Sequence, residues 1–172
     1  MNRRIHQVCT IPALAVLALL VVTPFASAQE EDRGPAIEVF GAHVRTIESG
    51  GGSSQSYGLR GGYRFGQVWA LEGSVSHLNE GFTNWFADLS AKAFFVRSNR
   101  FEIYGLAGPG LFRISAFGET RDQATVHAGL GAQIHLGERA YLRPEVRGHW
   151  ATNDLVFKDG LVDYALGIGW RF

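Results

Sequence analysis

The chain has one cysteine, one methionine and five prolines in 172 residues, and none of its apolar runs is long enough for a spanning helix. Its longest such run, Ile11 to Val22, falls short of the roughly 18 residues a transmembrane helix needs. With Cys9 as the only thiol, an intramolecular disulfide is excluded. Blocks of like charge are also missing. The 16 basic and 16 acidic residues are interspersed, which removes the electrostatic reason to expect nucleic acid as a partner. No segment holds a convincing helical period, so a helical bundle is excluded too.

What is present begins with an export signature. Arg3 and Arg4 precede the apolar run, and Pro24 and the small-residue triplet Ala26-Ser27-Ala28 follow it, which matches the three regions of a secretory signal peptide. Cleavage is expected after Ala28, so residues 1–28 are a signal peptide that carries Cys9 away with it. Gln7-Val8 before that cysteine does not resemble a lipoprotein-processing box. Residues 29–35 then form a short N-terminal segment and residues 36–172 a single domain.

That domain alternates. Tyr164, Leu166, Ile168, Trp170 and Phe172 share one face of the last segment, and Ala165, Gly167, Gly169 and Arg171 share the other, with Asp163 in phase with Arg171. Tyr57 to Phe65 sets Tyr57, Leu59, Tyr63 and Phe65 against Arg60 and Arg64. Trp69 to His77 sets Trp69, Leu71 and Val75 against Glu72, Ser74 and Ser76, and Trp85 to Phe95 sets Trp85, Leu89 and Phe95 against Asp88, Ser90 and Lys92. Val126, Leu130, Ile134 and Leu136 oppose Thr125, His127, Gln133 and His135, while Val146 and Trp150 oppose Arg143, Glu145, Arg147 and His149. Ile37 to Arg45 and Phe101 to Arg113 are rich in strand formers with a blurred phase, and Pro109 predicts a bulge or bend. The total is about eight strands, each near the roughly 9–11 residues that cross a bilayer when tilted.

The connections alternate in length. Gly66-Gln67, Ser98-Asn99 and Gly137-Glu138-Arg139 are tight, whereas Thr46 to Ser56, Leu78 to Asn84, Ala116 to Gln123 and Ala151 to Gly160 are longer and more polar. Transmembrane barrels combine short periplasmic turns with longer outward loops, which predicts that both chain ends are periplasmic. Phe65, Trp69, Phe95, Phe101, Trp170 and Phe172 fall near the tight turns, and Tyr57, Trp85, Phe117 and Trp150 near the long loops. These are the two aromatic girdles expected at the membrane interfaces.

The terminal pattern Tyr164 to Phe172 and the strand Leu142-Arg143-Pro144-Glu145-Val146-Arg147 resemble the small outer-membrane β-barrel superfamily, the group containing the OmpA membrane domain and OmpX-like proteins. The resemblance spans Ala36 to Phe172. It implies an all-β, eight-stranded antiparallel up-and-down transmembrane barrel in the outer membrane, monomeric or weakly associating. It further implies lipid and lipopolysaccharide as surroundings, and Tyr164, Leu166, Ile168, Trp170 and Phe172 as the signal read by the barrel-assembly machinery.

A barrel of about eight strands has room inside only for its own side chains. Arg60, Arg64, Glu72, Asp88, Lys92, Arg143, Glu145, Arg147, Asp163 and Arg171 would therefore form a lumenal network, centred on Arg147, Glu145, Glu72 and Asp88, with Glu102 a further carboxylate. The outer-membrane lipid A deacylases use a His-x-Ser pair, and here the serine position after His149 is Ala151, so no catalytic residue is expected. No metal or cofactor is expected either. His127 and His135 share a face but lie about 26 Å apart along one strand, and Gly105, Gly108, Gly110, Gly129 and Gly131 precede no helix that would make a phosphate loop. The resulting expectation is a non-enzymatic envelope protein acting through its outer loops. The rivals are a small channel or lipid-facing transporter, a lipid A-modifying enzyme, and a secreted soluble barrel with an apolar cavity.

Overall fold

Alternation at period two, carried by aromatic and branched residues on one face, gives strands that must bury or oil-coat that face. The computed structural model describes residues 33–47, 52–79, 83–116, 119–152 and 160–172. The signal peptide and residues 29–32 lie outside the described residues, as do Phe117 and most of Ala151 to Gly160. Eight strands follow in order: β1 Arg33–Thr46, β2 Ser53–Phe65, β3 Trp69–Asn79, β4 Thr83–Arg97, β5 Phe101–Ala116, β6 Glu119–His135, β7 Ala140–Ala151 and β8 Leu161–Arg171. Each pairs antiparallel with its chain neighbours, and β1 also pairs with β8, so the sheet closes into a barrel with no free edge.

The two faces separate as the alternation requires. Outside stand Leu59, Tyr63, Val75, Leu89, Leu130, Val146, Leu166 and Ile168, all exposed. Inside stand Glu38, Arg60, Glu72, Lys92, Arg143 and Glu145, all buried. This inversion of a soluble protein is what a lipid solvent demands, since backbone groups are satisfied by the closed ladder and the oily face meets acyl chains. No helix among the described residues is long and apolar enough to cross a membrane, and the strands are what span.

Three features depart from the sequence-based expectation. The strands are longer than a bilayer needs: β4, β5 and β6 run to 15, 16 and 17 residues. Pairing therefore consumes much of the supposed long loops. Because β3 ends at Asn79 and β4 begins at Thr83, and β5 ends at Ala116 and β6 begins at Glu119, two of the four outward connections are as tight as the turns. The contrast in length survives only between β1 and β2 and between β7 and β8. Second, the register shift lies at Phe94 to Val96, whereas at Pro109 the ladder to β4 is interrupted without a shift. The β5–β6 register runs unbroken through Pro109↔Val126, although the ladder to β4 lacks partners opposite Gly108 and Pro109. A Cβ on Gly108 would strike the Leu89 carbonyl, so glycine permits this approach. Third, the inner face is not uniformly polar: Val44, Leu78, Phe86, Phe112 and Leu161 point inward and pack together.

Small residues on β8 make space for large ones on its neighbours. Gly167 pairs with Arg143, and Gly169 with Tyr141. A Cβ at Gly169 would overlap the Tyr141 ring, and one at Gly167 the Glu38 carboxylate. The glycine face of the terminal strand is thus the complement of bulky side chains beside it.

Candidate functional site: the filled lumen

The end of the barrel where β1 begins, β8 ends and the tight turns lie is the terminal end, and the opposite one the distal end. At the terminal end a cavity of about 880 Å³ opens between Arg64, Lys92, Phe94, Tyr141 and Arg171. Glu102 on β5 gathers the cations around it, accepting hydrogen bonds from Arg64 at 2.9 Å, Arg97 at 3.0 Å and Arg171 at 2.7 Å. The Arg64 guanidinium also lies over the Phe94 ring, 4.0 Å from its centroid.

Above this vestibule the lumen is closed by Arg143, which is 0% exposed. A guanidinium has five N–H donors, and all five are used. Nε donates to the Tyr104 hydroxyl, Nη1 to Glu38 and Glu72, and Nη2 to Glu72 and Glu145. Tyr104, equally buried, donates in turn to Glu145 at 2.8 Å. Arg60 bridges Glu38 at 2.6 Å and Glu145 at 3.0 Å, Lys92 reaches Glu72 at 3.1 Å, and Arg147 joins Glu145 and Asp88 at 2.9 Å each. The hub is Arg143, four residues along β7 closer to the terminal end than the Arg147-centred arrangement read from the sequence.

The charge count explains why such a network can be buried. Arg60, Arg64, Glu72, Lys92, Arg143, Glu145 and Arg147 are buried, and Asp88, Asp163 and Arg171 partly so, all on the inner face. Taken alone these ten hold six cations and four carboxylates. Glu38 and Glu102, buried at 2% and 3%, supply the other two, so that six stand against six. Each unpaired ion would cost several kcal/mol in this surrounding, and neutrality within hydrogen-bond reach is the condition for burying any of them. Glu38 escaped sequence reasoning although one signal was available. It is the lone charge between Ile37 and Val39, which stand outward on β1.

Distal to the hub, polarity changes character. Ser90, His127, His149, Asp88 and Asp163 meet across β4, β6, β7 and β8. His127 and His149 are direct register partners. The Ser90 hydroxyl lies 2.8 Å from His127 Nε2, and His149 Nε2 lies 3.0 Å from Asp163. Ser90, His127 and Asp88 thus follow one another in the order of a hydrolase triad. Ser90 is nonetheless 1% exposed, enclosed within the lumen. Thr152, at the rim, donates to the Ala124 carbonyl. Beyond His149 the Phe86 and Phe112 rings stack at 4.5 Å and cap the lumen together with Val44, Leu78 and Leu161.

On the outer wall Tyr164, Leu166, Ile168, Trp170 and Phe172 stand exposed along β8 as one continuous strip. Phe65, Trp69, Phe95 and Phe101 join Trp170 and Phe172 in exposure near the terminal end, and Tyr57 and Trp150 are exposed near the distal end.

A closed antiparallel barrel of eight strands, oily outside and filled with paired charge inside, defines an integral outer-membrane β-barrel protein. The chain belongs to the outer membrane protein beta-barrel domain family, whose model matches residues 13–172, and its place is the outer membrane in contact with lipid. Among solved structures, the N-terminal β-barrel domain of Pseudomonas aeruginosa OprF is similar over 81% of this chain and 99% of its own, with a TM-score of 0.66 at 16% identity. Neisserial surface protein A aligns over 81% of this chain and 97% of its own, TM-score 0.65 at 15% identity. Ail, the attachment invasion locus protein of Yersinia pestis, aligns over 81% and 99%, TM-score 0.59 at 22% identity. At these identities the likeness is one of fold. No curated protein sequence matches the chain.

Proposed function

We propose that this protein is a non-enzymatic, envelope-structural barrel that meets its surroundings through its outer wall and distal connections, and that its lumen carries no solute. The observation that carries this reading is the occlusion of the lumen by Arg143 and its carboxylates, backed distally by the Phe86–Phe112 layer. Moving an ion past Arg143 means breaking five hydrogen bonds in a low-dielectric interior, which a narrow pore cannot offset. The chain is exported with its signal peptide cleaved after Ala28, the chain ends face the periplasm, and the strip along β8 that ends in Phe172 is read by the barrel-assembly machinery. The mature barrel works as a monomer among lipid and lipopolysaccharide. Any recognition resides in the connections between β1 and β2 and between β7 and β8, the two longest links between strands on a rigid scaffold.

The test begins with outer-membrane fractions run on detergent gels, boiled and unboiled. A band in that fraction that shifts on heating is the expected result, and the same purified protein should give no stepwise conductance in a planar bilayer. Discrete conductance steps would overturn the closed-lumen reading and favour the channel, whose one supporting observation is the 880 Å³ vestibule. Released acyl chains after incubation with lipopolysaccharide would overturn the non-enzymatic one. Shortening both distal connections should abolish any surface binding while leaving the heat shift intact.

A further inference from the structure

The distal cluster contains more acceptors than donors. His149 Nε2 faces the Asp163 carboxylate at 3.0 Å, and in the tautomer that donates Nε2–H to it the ring presents its lone pair on Nδ1. His127 is held in the same sense, with Nε2 against Ser90 and Nδ1 on the far side of the ring. Both Nδ1 atoms turn toward Asp88 Oδ1, at 3.6 Å from His127 and 4.0 Å from His149. These three atoms are buried and lack hydrogen-bond partners among the described residues. Asp88, His127 and His149 each offer one ligand atom, and those three atoms lie within 4.8 Å of one another. The other Asp88 oxygen is fixed by Arg147 at 2.9 Å, so Oδ1 is presented and not free to turn away.

We infer that His127 Nδ1, His149 Nδ1 and Asp88 Oδ1 form a site for one divalent transition-metal ion of the zinc type, enclosed in the distal half of the lumen. Two imidazoles and one carboxylate are the donor set of borderline cations, not of calcium or magnesium, which prefer all-oxygen shells. Ligand atoms about 2.0–2.1 Å from a tetrahedral zinc stand about 3.3 Å apart, so the cluster needs only a small contraction to close on an ion. The outer contacts are those a metal-binding histidine normally has: the nitrogen that does not face the ion is anchored, here by Ser90 and Asp163. Gly110 opens the space, because a Cβ there would meet Asp88 Oδ1 and the Thr125 hydroxyl. Arg147 is shared between Asp88 and Glu145, each at 2.9 Å, and Asp163 adds a second carboxylate beside His149. Phe86, whose ring lies 4.9 Å from that of His149, shields the site from the distal mouth.

Because the site is enclosed, the ion has to enter as the barrel folds. The experiment therefore unfolds the untagged protein in urea, refolds it into detergent micelles with Co(II) chloride present, and dialyses away unbound metal. One Co(II) per chain is expected, with the visible ligand-field bands of a low-coordinate nitrogen and oxygen site, lost when refolding is repeated with Zn(II) in excess. His127→Gln and His149→Gln should each reduce retained metal about tenfold or more while the heat-shifted band on detergent gels persists. Undiminished retention in both variants would place the metal elsewhere, for instance on the outer histidines His43 and His77, and would overturn the inference. So would wild-type protein that folds and retains no Co(II). If a variant fails to show the folded band, the stoichiometry and spectrum of the wild type decide alone.

Discussion

The two halves of the lumen hold their polar groups in different ways. In the terminal half every guanidinium finds a carboxylate, the Tyr104 hydroxyl both accepts and donates, and Lys92 and Arg64 lie over aromatic rings. In the distal half Ser54, Asn84, Asp88, Thr125, His127, His149 and Asp163 each keep a buried side-chain atom without a partner among the described residues. Arg60 and Arg147 have unpartnered Nε atoms, but their remaining nitrogens are bound. The terminal half is therefore a nearly saturated plug, whose four carboxylates are all bound by cations of the chain itself. The distal half is short of positive charge and donors. A saturated polar cluster rigidifies a fold, whereas an unsaturated one costs stability unless a ligand completes it.

The largest expected effect comes from removing the hub. Arg143→Met removes the one guanidinium shared by Glu38, Glu72 and Glu145, leaves the buried cluster a cation short, and should destabilise the folded barrel by about 3–5 kcal/mol, read as a lowered urea midpoint in phospholipid vesicles. The pairing is tested by a cycle: Glu72→Gln should cost less in the Arg143→Met background than in the parent, because there it relieves repulsion instead of breaking a bond. Equal costs in the two backgrounds would mean that the saturated cluster contributes no coupling, and the contrast between halves would lose its energetic meaning.

Smaller effects probe how tightly the plug is fitted. A Cβ on Gly131 would overlap the Tyr104 ring, so Gly131→Ala should push that ring off Arg143 and Glu145 and cost about 3 kcal/mol, near the upper range for overpacking. Tyr104→Phe keeps the ring and deletes only the hydroxyl between Arg143 and Glu145, with an expected cost of about 2 kcal/mol. A Gly131→Ala barrel as stable as its parent would show that the hub tolerates displacement of its tyrosine.

Much of this architecture was legible in the sequence, for a physical reason. A strand's two faces are a local property, so the alternation of Tyr164 to Phe172 or of Leu142 to Trp150 reveals inside and outside without knowledge of any partner. The inner position of ten charged residues followed from phase alone. Glu38 was missed because β1 has alanine and glycine at several positions, which weakens its alternation. Which charges meet was not legible. Arg143 and Glu72 are brought together across the lumen, and strand phase says nothing about height or diameter. The histidine cluster failed for a similar reason: comparing His127 with His135 considers one strand, whereas the neighbour that matters, His149, is its partner on β7. The inward Phe86 and Phe112 were overlooked because apolar residues on both faces of a strand blur the period they belong to.

The smallest effect should also have the opposite sign. Thr125 is buried on the inner face of β6, 2% exposed, and its hydroxyl finds no partner among the described residues. Tyr104, by contrast, has a hydroxyl that loses two hydrogen bonds on leaving water and regains two in the protein. Deleting the Tyr104 hydroxyl strands Arg143 Nε and leaves Glu145 one donor short, so the cost is borne by the groups that remain. Deleting the Thr125 hydroxyl strands nothing, and the desolvation already spent on it is recovered. Thr125→Val preserves shape and branching, and in chelator-treated protein it should raise the urea midpoint by the equivalent of about 1 kcal/mol. A loss of stability as large as that of Tyr104→Phe would mean that Thr125 is bound in solution, and that the distal half is as saturated as the terminal one.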